Sequence, residues 1–223
     1  MDIEFVKRAV PVLLGGTLIT LQIGGLSLVL GLLLGIPLAF MRVYGGRVLK
    51  GITLFYSEIL RGTPVLVQLF LIYYGLPQFG IVFDPIPAAF LTLGINSAAY
   101  QVEYLRGAIT SVGENQMMAA RSLGMSTVKA IRCVILPQAM RLVLPSWSNE
   151  AIYMIKNTAV VYLIAVPDLM TKTKIMIARY YNPIESYMLV SIFYLVLVAL
   201  ATLIFHSIER NLKIPGLQLE ERR

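Results

Sequence analysis

The sequence predicts an all-α integral membrane protein. It reads as a single domain over residues 1–223, with five transmembrane helices and a cytoplasmic helix–Gly–helix loop between the third and fourth. Three observations predict it. Apolar residues make up 57% of the chain and charged residues 14%, against about 25% charged in a soluble domain; the mean hydropathy is +0.76. Residues 9–41 carry no charge, and about 20 apolar residues suffice to cross ~30 Å of hydrocarbon. Residues 113–137 are the one long segment between the first and last apolar runs that is not built to sit in lipid.

The first span, 9–41, is long enough to tilt. Its Gly15, Gly16, Gly24, Gly25, Gly31 and Gly35 allow close helix packing. It lacks a signal-peptidase-like cleavage site and is too long for a signal sequence, so it reads as a retained span. A basic turn follows with Arg42, Arg47 and Lys50. The second span, 52–76, carries Glu58, Arg61, Pro64 and Gln68. Pro64 removes one helix hydrogen bond and predicts a kink. The loop 77–87 has three prolines and no Lys or Arg, which marks it as external.

The third span, 88–111, holds Asn96, Tyr100, Glu103 and Arg106. Here the chain echoes itself, with SEILRG at 57–62 and VEYLRG at 102–107. Each repeat puts Glu and Arg at i, i+3 on one helix face. Charges in a bilayer are costly and are usually paired, so Glu58–Arg61 and Glu103–Arg106 are expected intramembrane charge pairs. They would line the inner mouth of a path or snorkel at a helix end. The fourth span, 141–166, carries Asn149, Glu150, Lys156 and Asn157. Glu150 and Lys156 are about 120° apart around a helix, so they do not pair, and each needs another partner, water or a ligand. Residues 167–185 are mixed and external. The fifth span, 186–208, is plainly apolar, and the tail is short and polar.

The loop 113–137 reads as two short helices. Gly124 is suited to the left-handed residue that ends the first. Ser126 caps the second, which is expected to run to Pro137. Ala119, Ala120 and Leu123, then Ala130, Ile131 and Val134, give each helix an apolar side. Such a loop either docks a partner or lies on the headgroups. With five spans and an external N-terminus, the internal segments hold Arg42, Arg47, Lys50, Arg121, Lys129, Arg132, Arg141, Arg210, Lys213, Arg222 and Arg223. The external ones hold Lys7, Arg8, Lys172, Lys174 and Arg179. The excess of positive charge places the loop and the C-terminus in the cytoplasm.

The net charge of +7 is dispersed between apolar spans. It marks topology rather than a nucleic-acid surface. One cysteine, Cys133, excludes an intrachain disulfide and a Cys-based metal site. No phosphate-cradling G-x-x-x-x-G-K-[S/T] occurs, nor H-E-x-x-H or G-x-S-x-G. The chain is therefore expected to have no catalytic residues, no metal and no cofactor of its own. The lone histidine, His206, reads as an interfacial residue.

Met118-Ala119-Ala120, Gly124 and Val134-Ile135-Leu136-Pro137 resemble the E-A-A-x-x-x-G, nine residues, I-x-L-P loop of permease subunits of binding-protein-dependent ABC importers. Met118 stands in place of the usual Glu and Val134 in place of Ile. The stretch Glu58–Arg61-Gly62-Thr63-Pro64–Gln68 and the segment LPSWSNEAIYMIKNTAVVYLIAVPDL are similar to those of the polar amino acid permease group, with Ala159 for Ser and Asp168 for Glu. The resemblance covers nearly the whole chain. It implies a type I importer fold and an ATP-driven amino acid importer working by alternating access in the cytoplasmic membrane of a prokaryote.

It also implies partners: cytoplasmic ABC ATPase subunits that use ATP and Mg, a second permease subunit (self or similar), an external solute-binding protein, an amino acid substrate and membrane lipid. Met118, Ala119, Ala120, Arg121, Leu123, Gly124, Met125 and Lys129 would form the ATPase-docking surface of the coupling loop. Gln68, Asn96, Tyr100, Asn149, Glu150 and Asn157 are the candidate substrate-path residues, being polar groups deep in the spans. Each amide could instead serve an interhelical hydrogen bond. Glu150 stands out because packing explains a deep carboxylate least well. The rival reading is an ion-coupled secondary transporter or channel with Glu103, Glu150 and Lys156 as a relay.

Overall fold

The computed structural model describes residues 3–112 and 114–212, and among them the chain is helical, without a strand. Gly113 and the polar tail expected after residue 212 lie outside the described residues. The first helix, α1, runs Ile3–Tyr44 over 42 residues, about 63 Å at 1.5 Å per residue. It packs along α4 (Pro85–Val112) more extensively than any other helix pair. The approach is closest at Gly31, where a methyl group would run into the Gln101 amide and Ser97.

The second expected span is not one kinked helix. It is α2 (Arg47–Gly62) and α3 (Val65–Phe70), the latter continuing through a π turn and a 3-10 turn to Phe79. The two arms meet at 102°. A residue before proline is driven out of the helical region. Thr63 (φ −112°, ψ 142°) and Pro64 (φ −60°, ψ 134°) are both extended. Two consecutive extended residues turn the chain where a lone missing hydrogen bond would only bend it.

After the loop, α5 is Glu114–Ser122 and α6 is Thr127–Ala130. The expected stop at Pro137 does not occur. A π turn over Ile131–Ile135 leads directly into α7, Leu136–Asn157. The Leu136 amide bonds back to Ile131. This widened turn lets the helix pass a proline that has no N–H to donate. The same device precedes Pro77, where Leu76 bonds back to Leu71.

A 3-10 turn, Thr158–Ile164, ends α7 at Ala165 (φ 59°). The mixed segment expected between the last spans contains a helix, α8 (Leu169–Tyr180), before α9 (Pro183–Leu212). Asp168 caps α8, accepting from Thr171 N at 2.8 Å. The start of α8 presses against α1: Leu169 N donates to Thr20 Oγ1 at 3.2 Å, and a methyl on Gly16 would meet the Leu169 backbone.

Among the described helices, α1 and α9 are each long and apolar enough to cross a membrane, and the bent α2–α3 pair is a third candidate. Helix α4 overlaps the third expected span and α7 covers the fourth only as far as Asn157, the remainder being the 3-10 turn and its end; both helices are less apolar than α1 and α9. Their buried faces carry Asn96, Ser97 and Gln101, and Ser148 and Glu150.

Candidate functional site

Two polar systems stand inside the bundle, and a third surface stands outside it. The first closes the broken second span. Gln68 Nε2 donates to Leu60 O (2.8 Å), Thr63 O (3.1 Å) and Thr63 Oγ1 (2.8 Å). Asn96 Nδ2 donates to Leu60 O (3.0 Å) and Gln68 Oε1 (3.1 Å). Pro64 has no N–H to offer the Leu60 carbonyl, so these side chains satisfy carbonyls that the end of α2 leaves without a helix partner. Both amides are therefore occupied by the chain's own backbone.

The second system surrounds Glu150, which is 3% exposed. Ser97 Oγ donates to its Oε1 at 2.7 Å, and the Tyr104 side chain is close enough to interact with the carboxylate. Ser97 accepts in turn from Gln101 Nε2 at 3.0 Å. The same amide reaches Leu28 O on α1 at 3.1 Å, and Gln101 Oε1 accepts from Trp147 Nε1 at 3.1 Å. Trp147 stands edge-on to Phe205 of α9. The carboxylate is thus held by the Ser97 hydroxyl, and among the described residues it has no ion pair. Sequence reasoning missed Ser97, Gln101 and Tyr104. Their i, i+4, i+7 spacing puts them on one face of α4, and that was the available signal.

Tyr100 is half-buried, with the Arg61 guanidinium 5.6 Å from its ring centroid. Arg61 does not pair with Glu58, which corrects the first expected charge pair: both side chains are exposed, and the arginine turns to the aromatic face. Arg106 Nε does meet Glu103 Oε2 at 2.8 Å. Asn149 and Lys156 are exposed and Asn157 is half-buried, and Lys156 makes no ion pair with Glu150. The structure therefore brings Glu150, Tyr100 and Arg61 into one neighbourhood, with Tyr100 in electrostatic reach of both charges. Asn149 and Asn157 are not joined to it by any hydrogen bond.

The outer surface is the elbow formed by α5 and α6. Gly124 is left-handed (φ +79°). Gly124 N bonds Arg121 O at 2.9 Å and Met125 N bonds Ala120 O at 3.2 Å, the paired closure of a helix ended by glycine. Ser126 Oγ accepts from Lys129 N at 3.4 Å. Ala120 and Ala130 are buried within the elbow, while Ala119, Arg121 and Lys129 are exposed. Leu123, expected on the apolar side of a docking surface, is 80% exposed, beside Val128 at 74% and Met118 at 58%. The elbow thus presents an apolar surface with basic neighbours.

A helical bundle with apolar spans, a polar interior and one protruding elbow defines a membrane-embedded transport subunit. Residues 27–214 match the family described as "Binding-protein-dependent transport system inner membrane component", and the chain belongs to that family. It is 37% identical over 215 residues to the glutamine transport system permease protein GlnP of Escherichia coli strain K12, covering 96% of this chain and 98% of that one. It is 37% identical over 214 residues to the arginine transport system permease protein ArtQ of Bacillus subtilis strain 168, covering 96% and 98%. A solved structure described as an amino acid ABC transporter with histidines superimposes with a TM-score of 0.86 at 36% identity, covering 95% of this chain and 99% of that one.

Proposed function

We propose that this chain is the transmembrane subunit of an ATP-driven importer of polar amino acids, working by alternating access. The observation that carries the reading is continuity. From Thr127 the helix runs through the π turn and past Pro137 to Asn157. The exposed apolar elbow and the buried Glu150 therefore sit on one lever. A partner that grips Leu123 and Val128 moves the helix that holds the carboxylate, and α4 follows through the Ser97 bond to Glu150. The two-state element that such coupling needs is the rocking of α4 and α7 together.

The partners in this reading are cytoplasmic ATPase subunits at the elbow, a second permease subunit and an external solute-binding protein. ATP and Mg are used by the ATPase, since this sequence has no phosphate-cradling loop. Five crossings, with the N-terminus outside and the C-terminus inside, fit the distribution of Lys and Arg. Glu150 offers a carboxylate to the ammonium or cationic side chain of the substrate, with Tyr100 and Arg61 at its approach.

The test is uptake of labelled amino acids into vesicles holding the chain with and without its ATPase. ATP-dependent uptake that vanishes without the ATPase is expected. Proton-driven uptake by this chain alone would establish the ion-coupled alternative. Gly124→Leu, forced into a left-handed position that favours glycine, is expected to lose ATPase binding; normal assembly and transport would remove the elbow from the mechanism.

A further inference from the structure

An open groove of about 540 Å³ runs along the start of α9, lined by Ile184, Tyr187, Met188, Ser191 and Ile192. Ile184, Met188 and Ile192 recur every fourth residue, so they form one stripe up the helix, about 12 Å long. All three are exposed on a helix apolar enough to cross a membrane. The groove therefore begins where the chain enters hydrocarbon and continues into it.

Beside Tyr187, which lines the groove, stands Lys174 of α8. Its ammonium lies 5.5 Å from the Tyr187 ring centroid and 5.6 Å from that of Tyr162. The neighbouring Tyr187 holds the amine above the usual lysine range. Among the described residues it has no carboxylate partner. Two aromatic faces hold the cation beside the groove but leave its charge uncompensated. Tyr and Lys at this level are the residue types that anchor to headgroups.

We infer that this groove is a binding site for one anionic phospholipid, with the phosphate on Lys174 and an acyl chain along Ile184, Met188 and Ile192. A zwitterionic headgroup also brings a phosphate but adds a cation beside the ammonium of Lys174, whereas an anionic headgroup brings the phosphate alone. The inference rests on the membrane location of the chain and not on its substrate or its ATPase.

The test is native mass spectrometry of the full chain in neutral detergent, titrated with dioleoyl phosphatidylglycerol or dioleoyl phosphatidylcholine. One phosphatidylglycerol per chain is expected, retained at about tenfold lower concentration than phosphatidylcholine. Lys174→Gln is expected to erase the difference between the lipids, and Met188→Trp, which fills the groove, to weaken retention of both. Arg132→Gln on the elbow is expected to change neither. Equal retention of the two lipids by the unaltered chain, or an undiminished preference in Lys174→Gln, overturns the proposal. So does a Met188→Trp variant that retains both lipids normally but breaks a dimer, which would make the groove a contact between copies. None of these outcomes depends on transport, so this site and the transport reading fail separately.

Discussion

The two Glu-x-x-Arg-Gly repeats have the same spacing and opposite fates. In α4 the helix is unbroken, and Arg106 meets Glu103 at 2.8 Å with the carboxylate side chain only 18% exposed. In α2 the repeat ends at the break before Thr63 and Pro64. There Arg61 leaves the exposed Glu58 unpaired and lies over Tyr100. Helical spacing makes an ion pair possible. Whether the arginine takes it depends on how strongly the acid needs a partner and on what else is within reach. The more buried acid holds its arginine, and the exposed acid's arginine turns to an aromatic ring.

The largest effect is expected where the pair is most buried. Arg106→Leu leaves Glu103 without its cation, next to an Oε1 that has no partner already. A partly exposed pair should lose less than a fully buried one, about 1–3 kcal/mol, read as a drop in thermal stability in detergent. Adding Glu103→Leu should restore most of it. If the single change is silent, the α4 pair is no more binding than the α2 one. Glu150 extends the contrast to an acid held by a hydroxyl. Glu150→Gln keeps the hydrogen bond and removes the charge, so assembly should be unchanged while KM for a cationic amino acid rises about tenfold, some 1.4 kcal/mol. An unaltered substrate profile would take Glu150 out of the path.

Arg61 comes next, because an exposed cation–π contact is worth about 0.5–1 kcal/mol. Arg61→Gln should lower stability by no more than that and lower uptake only a few-fold, and a larger loss of stability would mean the arginine is structural. The smallest effect is expected at Asp168, a fully buried acid whose Oδ2 has no partner. Burial pushes its carboxyl above the usual range, against the opposing hydrogen bonds from Thr171. The folded state therefore holds the proton more tightly than the unfolded chain. It carries a penalty that appears as pH rises above the ordinary carboxylate range and is full above the raised value. Asp168→Asn, an equally good helix cap, should raise the melting temperature slightly at pH 8 and leave it unchanged near pH 4. The reverse order would show the carboxylate to be stabilised by its cap.

Much of the elbow was legible because its determinants are local. A left-handed glycine and a capping serine act within a few residues of themselves, and both take the expected conformations at Gly124 and Ser126. Gln68 and Asn96 were less legible. A polar residue deep in a span looks the same whether it faces a ligand or a broken backbone, and only the break at Pro64 distinguishes the two. Pro137 misled for a related reason: proline forbids a hydrogen bond, but a π turn placed before it removes the need for one.

By itself, the sequence determined that the chain is helical and embedded in a membrane, because apolar length and the cost of bare backbone in lipid leave no other solution. It also determined where the elbow turns. Tertiary structure alone decided which polar groups remain free. Partners such as Ser97 and Glu150 lie 53 residues apart, and no spacing rule reaches that far.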